Sequence, residues 1–385
     1  MIGKVEELDN GVVVYQATEE PEDAHNIYCE ACYCSRDSSC FVYARSLRQG
    51  KGVAHEYVAC DFGTWEKRVL APHQEQPLNT GKFRPGMRRD GRFYYLRPAA
   101  GDAGELVHID PLSGQSSRTR LPDAPQRYVC AVVSPDDRYL AYNMAVSYAP
   151  QMFAIEMLDL QTGEVRRLQE DPYICNTHHQ FEPRDGKWLV VQHNRGCEFS
   201  PEGKLVKLAG DEGATLFFIE VDSGFVSRPK IAPPYTDGIS GHETWIGTSG
   251  ELILTLNVQA DYDRGKGAIL GVRPAGDIRE ICAPHQANHI GMDPDGRLFV
   301  TDSYSPDEIV IGSPHTNKIA SVCPARIAYE RAYDRPKTYL ADHHPHPYIS
   351  PDLKWVIFNS DRAGVQQVYA ARLPDEMVAD VTEHV

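Results

Sequence analysis

A short pattern of polar and apolar residues recurs along the whole chain. A polar turn rich in Asp, Pro and Gly precedes a strongly apolar stretch of strand length, as in SPDLKWVIFNSD (350–361) and DPDGRLFVTDS (293–303). Copies of this pattern begin at positions 35, 88, 134, 182, 247, 293 and 350. Asp and Gly tolerate the backbone angles of a tight hairpin, and the apolar run is typical of a buried strand. The chain therefore carries one hairpin unit seven times.

The spacing of these units predicts the fold. The turn positions fall at 37, 90, 136, 185, 249, 295 and 352, with gaps of 46 to 64 residues. A second strand follows each apolar one, as in MFAIEMLDLQTG (152–163), and helical periodicity is nearly absent. This is the period of four-stranded blades, so the pattern predicts an all-β, seven-bladed β-propeller. Two stacked sandwiches are the structural alternative, which the sevenfold period disfavours.

The domain prediction follows from the same repeat. We expect residues 1–385 to form a single propeller domain of seven blades. The segment GVVVYQAT (11–18) is expected to add the outermost strand to the last blade and so close the ring. Closure by the N-terminal segment would remove exposed sheet edges.

Composition and charge narrow the class of partner. Hydrophobic residues make up 42% of the 385 residues, enough for a large core, and the formal net charge is -15. Such an acidic chain argues against binding to nucleic acid or to anionic membranes. The N-terminal residues lack a basic segment followed by an apolar one, and no apolar run reaches membrane-spanning length. These features favour a cytoplasmic protein.

Histidines occupy one phase of the repeat in four blades. Each lies five residues before the Pro or Gly of its turn; they are His178, His242, His289 and His346. The strand entering each turn is the innermost of its blade, so its start lies at one mouth of the central channel. Cys130 and Arg84 occupy this phase in two other blades. A single histidine here would more often be a hydrogen-bonded polar group, but four at one phase predict a functional cluster.

The residue types suggest a metal site with acid–base groups beside it. Neutral imidazole ligates Mn, Zn, Fe or Ni. His344 and His346 alternate along a predicted strand and should share a face, so with His289 they could supply three ligands. Asp342 or Gln286 could add an oxygen ligand. His242 and His178 then remain for acid–base work or substrate contacts.

Four segments resemble the oligogalacturonate lyase family. They are HPHP with the SPD turn and VIFNSDRAGVQQVYAARLPDE, GHETW (241–245), NHIGMDPDGRLFVTD (288–302) and HHQFEPRDGKWLVVQHN (178–194). The likeness covers roughly 175–385. It implies a seven-bladed propeller that holds a divalent metal, typically manganese, and performs β-elimination on a uronic acid. It also implies His289, His344 and His346 as metal ligands and His242 as the catalytic base.

The chain departs from the family pattern at two positions. The family's fourth ligand, a glutamine, falls on Ala341 here, with Asp342 beside it as a substitute. The family's substrate-binding arginine falls on Thr215. Arg84 and Arg195 are candidates to replace that arginine, and His179 is a third candidate substrate contact.

These observations predict a metal-dependent lyase that cleaves a uronic-acid-containing oligosaccharide or glycoside. His242 would act as base, and His178, a tyrosine or water as acid. Mn²⁺ is the expected metal, with Zn²⁺, Fe²⁺, Ni²⁺ and Ca²⁺ as alternatives. The expected partner is a small anionic saccharide. A hydrolase, isomerase or epimerase using the same pocket is one alternative function, and a noncatalytic binding platform is the other.

Overall fold

The protein is a seven-bladed β-propeller, as the repeat predicted. The computed structural model describes residues 2–49, 52–72, 85–256, 268–283, 287–304, 306–327 and 344–383. Seven antiparallel sheets surround a central channel, and the first strands of several neighbouring blades pack against one another around it.

Blades one to four each contain four strands, which run outward from the channel in chain order. They are β3 (Ala24–His25), β4 (Cys40–Gln49), β5 (Gly52–Asp61) and β6 (Lys67–Ala71); β7 (Gly86–Met87), β8 (Phe93–Pro98), β9 (Gly104–Ile109) and β10 (Ser116–Leu121); β11 (Val129–Val133), β12 (Tyr139–Tyr148), β13 (Gln151–Asp159) and β14 (Val165–Asp171); and β15 (Gln180–Phe181), β16 (Trp188–Asn194), β19 (Ala214–Glu220) and β20 (Val226–Ser227). A separate hairpin, β17 (Glu198–Phe199) and β18 (Leu205–Lys207), interrupts blade four.

Blades five to seven complete the ring. Their strands are β21 (Ile239–Trp245), β22 (Leu252–Leu256), β23 (Ile269–Val272) and β24 (Ile278–Cys282); β25 (Ile290–Met292), β26 (Phe299–Tyr304), β27 (Asp307–Gly312) and β28 (Ile319–Cys323); and β29 (Tyr348–Ile349), β30 (Trp355–Ser360) and β31 (Gln367–Arg372). Helix α1 (Asp375–Thr382) follows, with Val381 buried. A 3-10 turn at Pro125–Arg127 precedes β11. None of the helices among the described residues has the length and apolar character needed to cross a bilayer.

The last blade is built from both ends of the described chain. Strand β2 (Val13–Gln16) pairs antiparallel with β31, with Val13 opposite Arg372. Strand β1 (Gly3–Glu7) pairs with the other edge of β2, so the sheet has five strands. Residues 11–18 therefore contribute a strand to the last blade, but the prediction that this strand is the outermost one is wrong, because β1 pairs along its outer edge.

The turns of the repeat share one backbone feature. Each turn position identified in the sequence is followed by a residue with positive φ, between 59° and 86°; the seven are Ser38, Gly91, Asp137, Gly186, Gly250, Gly296 and Leu353. In three blades the turn serine also donates to the following aspartate, as Ser350 Oγ does to Asp352 Oδ1 at 2.6 Å. Local turn chemistry therefore sets the repeat.

The core lies between neighbouring sheets. Each sheet is covered on both faces, so its middle strands are buried along their length; every residue of β22 is buried, and so are five of the six in β30. This explains why the sequence shows continuous apolar runs there and not a simple alternation. Packing across blades joins Val14 of β2 with Val300 of β26 and Val356 of β30 in one apolar cluster.

A buried histidine near the ring closure makes stability depend on pH. Burial, with the neighbouring His55 imidazole adding to the effect, lowers the pKa of His25 to about 3. The unfolded chain therefore takes up this proton near pH 6.5 while the folded chain does not. We expect His25 to cost about 1.4 kcal/mol of unfolding free energy per pH unit as the pH falls from 6 to 4.

The free energy of unfolding, measured with denaturant at several pH values, tests this expectation. A chelator is present so that metal binding does not contribute. His25 Nδ1 accepts the backbone N–H of Ile27 at 3.1 Å, and an asparagine side chain can offer an oxygen in the same place. The unfolding free energy of His25→Asn should fall less steeply with decreasing pH than that of wild type. Equal slopes in the two chains would contradict the assignment to His25.

Candidate active site

The histidines at the shared phase of the repeat converge at one mouth of the channel. The ring centroids of His242 and His289 are 4.2 Å apart, as are those of His289 and His346. The centroids of His178 and His242 are 6.0 Å apart. These residues belong to blades four to seven, so propeller closure brings together side chains that are distant in sequence.

The backbone is irregular at this phase. Cys130, His178 and His346 have φ of 52°, 41° and 44°, values that residues other than glycine seldom adopt. In blade five, β21 contains an irregularity between Ile239 and Glu243, where it pairs with β22. Bulges and left-handed residues re-aim side chains next to functional sites. They turn these residues away from the regular pleat of the innermost strands.

His289, His344 and His346 form the first group of the site. One nitrogen from each lies within 4.8 Å of the other two. His289 and His346 are buried, and His344 is half-buried. This is the group that the sequence predicted as metal ligands.

Asp302, on β26, lies behind His289. Its carboxylate is 2.9 Å from His289 Nδ1 and accepts the His289 backbone N–H at 2.7 Å. Burial raises the pKa of Asp302 to about 7. Because Nδ1 is engaged by the carboxylate, Nε2 is the His289 nitrogen that can ligate a metal. A carboxylate on the second nitrogen of a ligating histidine is a common feature of metal sites.

His344 and His346 point to the same side, but not because they alternate along a strand. The prediction that they lie on a strand is wrong, because β29 begins only at Tyr348 and both histidines precede it. Two asparagines fix this segment instead. The Asn26 side-chain amide donates to the His346 carbonyl at 2.7 Å, and that of Asn359 donates to the His344 carbonyl at 3.0 Å. The two imidazole centroids are 5.6 Å apart.

The first group suits a divalent transition metal. It offers three imidazoles and no thiolate, a donor set that Mn, Fe, Ni and Zn accept. The hydrogen bond to Asp302 fixes the orientation of His289 in advance. The two residues considered as oxygen ligands, Asp342 and Gln286, lie outside the described residues, and so does Ala341.

Glu30, His178 and His242 form the second group. One ligand atom from each lies within 4.8 Å of the other two, so these atoms could also surround a cation. Glu30 accepts a hydrogen bond from His178 Nδ1, and the Asn176 side-chain amide is 3.0 Å from His178 Nε2. The Tyr28 hydroxyl and His242 Nδ1 share a hydrogen bond of 3.0 Å.

Sequence reasoning missed Glu30 and Tyr28. Both lie between β3 and the first turn, in a stretch that leaves the regular strand; Ile27 has φ of 75°. The repeat gave no signal for them because the phase position in blade one is Ala31. Asp302 was also missed, since it lies on the second strand of its blade.

The three substrate-binding candidates have different surroundings. Arg195 directs Nε to the Gly213 carbonyl at 3.1 Å and a terminal nitrogen to the Pro233 carbonyl at 3.0 Å, so its guanidinium joins two loops. Both nitrogens of buried His179 are hydrogen-bonded, Nδ1 with Thr177 Oγ1 and Nε2 with the Ala141 carbonyl. Arg84 lies outside the described residues.

Thr215 occupies the position where the resemblance implies an arginine. Its hydroxyl donates to the Ile231 carbonyl at 3.0 Å, within the wall between blades four and five. A hydroxyl used in this way supplies no positive charge for a substrate carboxylate.

The central channel reaches the second group. A cavity of about 730 Å³ has Tyr28, Glu30 and His178 among its lining residues. At the opposite mouth, Asp295 pairs with Arg36 at 3.0 Å and with Arg89 at 3.1 Å. Glu30 and His178, two of the three residues of the second group, therefore face the channel.

Comparisons with known proteins point to one family. No protein-family model matches the chain. The chain is 25% identical to the oligogalacturonide lyase of Pectobacterium atrosepticum over 239 residues, which are 57% of this chain and 55% of that protein. The match thus spans about half the length of that relative.

Two solved structures share the fold over nearly the whole chain. One is an oligogalacturonate lyase in complex with manganese, with a TM-score of 0.72, 16% identity, and coverage of 98% of this chain and 97% of that one. The other is an oligogalacturonate lyase from Vibrio parahaemolyticus, with a TM-score of 0.71, 15% identity, and 98% coverage of both chains. At these identities the two structures establish the propeller fold. The chain resembles the oligogalacturonate lyases, as its motifs predicted.

Proposed function

We propose that this protein is a metal-dependent lyase that cleaves a uronic-acid-containing oligosaccharide or glycoside by β-elimination. The observation that carries the proposal is the position of His242. Its imidazole lies between the three-histidine group, at a 4.2 Å centroid distance from His289, and the Glu30–His178 pair. A candidate base thus stands between a candidate metal site and a hydrogen-bonded carboxyl–imidazole pair.

The three-histidine group would hold the cofactor. Bound there, a divalent cation would neutralise the uronate carboxylate and make the C5 proton easier to remove. Manganese is the metal we propose, because the solved structure of similar fold is a manganese complex. Elemental analysis of the purified protein distinguishes it from zinc, iron, nickel and calcium.

His242 would remove the C5 proton. Its Nδ1 is hydrogen-bonded to the Tyr28 hydroxyl, so Nε2 is the nitrogen that can accept the proton when Nδ1 carries its hydrogen. Imidazole is the side chain whose ordinary pKa best suits proton abstraction near neutral pH. Tyr28 then holds both the ring orientation and the tautomer.

A panel of uronate oligosaccharides tests the proposal. With manganese present, we expect products that absorb in the near ultraviolet, because elimination creates a double bond conjugated with the carboxylate. EDTA should abolish this signal, and added manganese should restore it. No signal across a panel of galacturonate, glucuronate, mannuronate and guluronate oligomers would refute the lyase assignment.

Product mass separates the competing reactions. Elimination conserves the total mass of the substrate, whereas hydrolysis adds one water and epimerisation leaves the chain uncut. Products heavier by water would favour a hydrolase that uses the same pocket. A chain without bound metal that tolerates loss of His242 would favour a binding platform.

A further inference from the structure

Cys175 and Cys197 lie on two loops of blade four that meet beside the second group of the site. Cys175 is in the loop that enters β15, three residues before His178, and Cys197 is in the loop that follows β16. The Asn194 N–H donates to the Tyr173 carbonyl at 2.8 Å, so backbone hydrogen bonding joins the two loops next to the cysteines. The proposed function uses neither thiol.

The two thiols contact one another. A hydrogen bond joins the Cys175 and Cys197 side chains. Gln151 Nε2 is 3.4 Å from the Cys197 sulfur, and it donates to the Cys197 carbonyl at 3.1 Å and to the Pro172 carbonyl at 2.6 Å. One side chain therefore holds Cys197 against the loop of Cys175. The sulfurs of a disulfide are about 2.0 Å apart, so thiols already in contact need only a short movement to form one.

The two thiols differ in exposure and in acidity. Cys197 is 2% exposed, whereas Cys175 is half-buried. Hydrogen bonds from the Cys175 thiol and the Gln151 amide lower the pKa of Cys197, and the contact with Cys197, together with burial, raises the pKa of Cys175. Cys197 therefore ionises more readily, and Cys175 is the sulfur that a small molecule can reach. This division suits thiol–disulfide exchange, in which one sulfur is attacked by the other as a thiolate.

A second thiol contact, in blade one, lacks these features. Burial, with the neighbouring Cys32 thiol adding to the effect, raises the pKa of Cys34. The Cys32 thiol also donates to the Ile349 carbonyl at 3.1 Å. Cys34 is poorly suited to supply a thiolate, so we expect exchange at the pair in blade four instead.

We propose that Cys175 and Cys197 form a disulfide bond when the chain meets a small-molecule disulfide, and that this bond fixes the loop of Asn176 and His178 to the loop after β16. Asn176 follows Cys175 directly, and its amide is 3.0 Å from His178 Nε2. The bond would thus lie one residue from a contact of the candidate site. The proposal does not depend on the lyase function, because it concerns a covalent link between two loops.

The exchange takes two steps. The proton of Cys175 passes along the hydrogen bond to the Cys197 thiolate, and the Cys175 sulfur attacks the small disulfide, which releases one thiolate and leaves a mixed disulfide. Cys197 then loses that proton and attacks the Cys175 sulfur. The protein S–S bond forms, the mixed S–S bond breaks, and the second small thiolate leaves. The protein loses two electrons and two protons, and the small disulfide is reduced to two thiols.

Peptide mapping of the full chain, equilibrated with glutathione disulfide, tests the link. We expect one cross-linked pair of peptides, containing Cys175 and Cys197, and the loss of two hydrogens from the mass of the chain. Dithiothreitol should restore both thiols. The chain has ten cysteines, all free in the structure, so pairing of others with these two left as thiols would overturn the proposal. A mixed disulfide that persists at Cys175 would overturn it as well.

Thermal unfolding tests whether the bond fixes the loops. Because the bond closes a loop of about 20 residues, oxidised wild type should have a Tm about 4 °C above that of the reduced chain. Cys175→Ser and Cys197→Ser should show no difference between oxidised and reduced samples. Cys130→Ser, which removes a half-buried thiol of blade three, is the matched control and should keep the full rise. Equal Tm values for oxidised and reduced wild type would overturn the proposal.

Amide hydrogen exchange gives a second measurement that needs no variant. Oxidation of wild type should slow exchange at the amides between Tyr173 and His178, because opening of this loop would then require the loop after β16 to move with it. Exchange at the same rate in the oxidised and reduced chains would show that the bond does not fix the loop, and it would overturn the proposal.

Discussion

Replacement of His242 by alanine is expected to lower kcat for uronate cleavage by about 10³-fold while the metal content stays that of wild type. The His242 imidazole is the group proposed to accept the C5 proton, and the methyl side chain of alanine cannot accept one. Its ring contacts His289 but belongs to a different blade from all three proposed metal ligands. Loss of the base should therefore leave the metal site assembled.

Steady-state kinetics and elemental analysis of the same preparation test this prediction. Added imidazole should restore part of the activity of His242→Ala, because the cavity left by the side chain can admit it. His315→Ala is the matched control. His315 is hydrogen-bonded to the Gly296 carbonyl in the turn of blade six, at the end of that blade away from the candidate site. Turnover by His242→Ala within tenfold of wild type would exclude His242 as the base.

Replacement of His346 by alanine is expected to abolish both metal binding and activity. Three imidazoles make up the group, and removal of one leaves two imidazole donors among the described residues, too few for a stable site of this kind. His346 is buried, and its ring centroid is 4.2 Å from that of His289. Activity should fall at least as far as after EDTA treatment of wild type.

Calorimetric titration with Mn²⁺ and thermal unfolding measure this effect directly. Metal at 100 times its Kd should stabilise wild type by about 2.7 kcal/mol and leave the unfolding of His346→Ala unchanged. Asp302→Asn should show an intermediate result, a loss of about 10- to 100-fold in metal affinity, because Asp302 orients the proposed ligand His289 and is not itself proposed as a ligand. Wild-type affinity in His346→Ala would contradict the ligand assignment.

The fold was predictable because its signals are local. Each blade contains a turn in which one residue takes positive φ. Asp, Gly and Ser lower the free-energy cost of that conformation at any position in the chain. Leu353 is the exception in residue type, yet the preceding Ser350–Pro351–Asp352 run still forms the turn, and Leu353 has φ of 62°. Seven such turns at blade spacing were enough to predict the propeller and the phase of His178, His242, His289 and His346.

The details of the site were less predictable, since they depend on contacts between distant segments. Glu30 reaches His178 across 148 residues of sequence, and Tyr28 reaches His242 across 214. Neither lies at the repeat phase. Arg195 was a candidate to replace the substrate-binding arginine that the resemblance implies. In the structure its guanidinium donates to backbone carbonyls.

The sequence by itself determined the all-β propeller, the sevenfold repeat and the set of histidines facing one mouth, because hairpin turns and apolar strands are specified by short stretches of chain. Only the tertiary structure decided which histidines belong to the first group of the site and which to the second. Asn26 and Asn359 set the geometry of His344 and His346, Asp302 orients His289, and the departure of blade one from its strand brings Glu30 to His178. These are long-range hydrogen bonds whose partners are chosen by the packing of whole blades, and no local pattern encodes them.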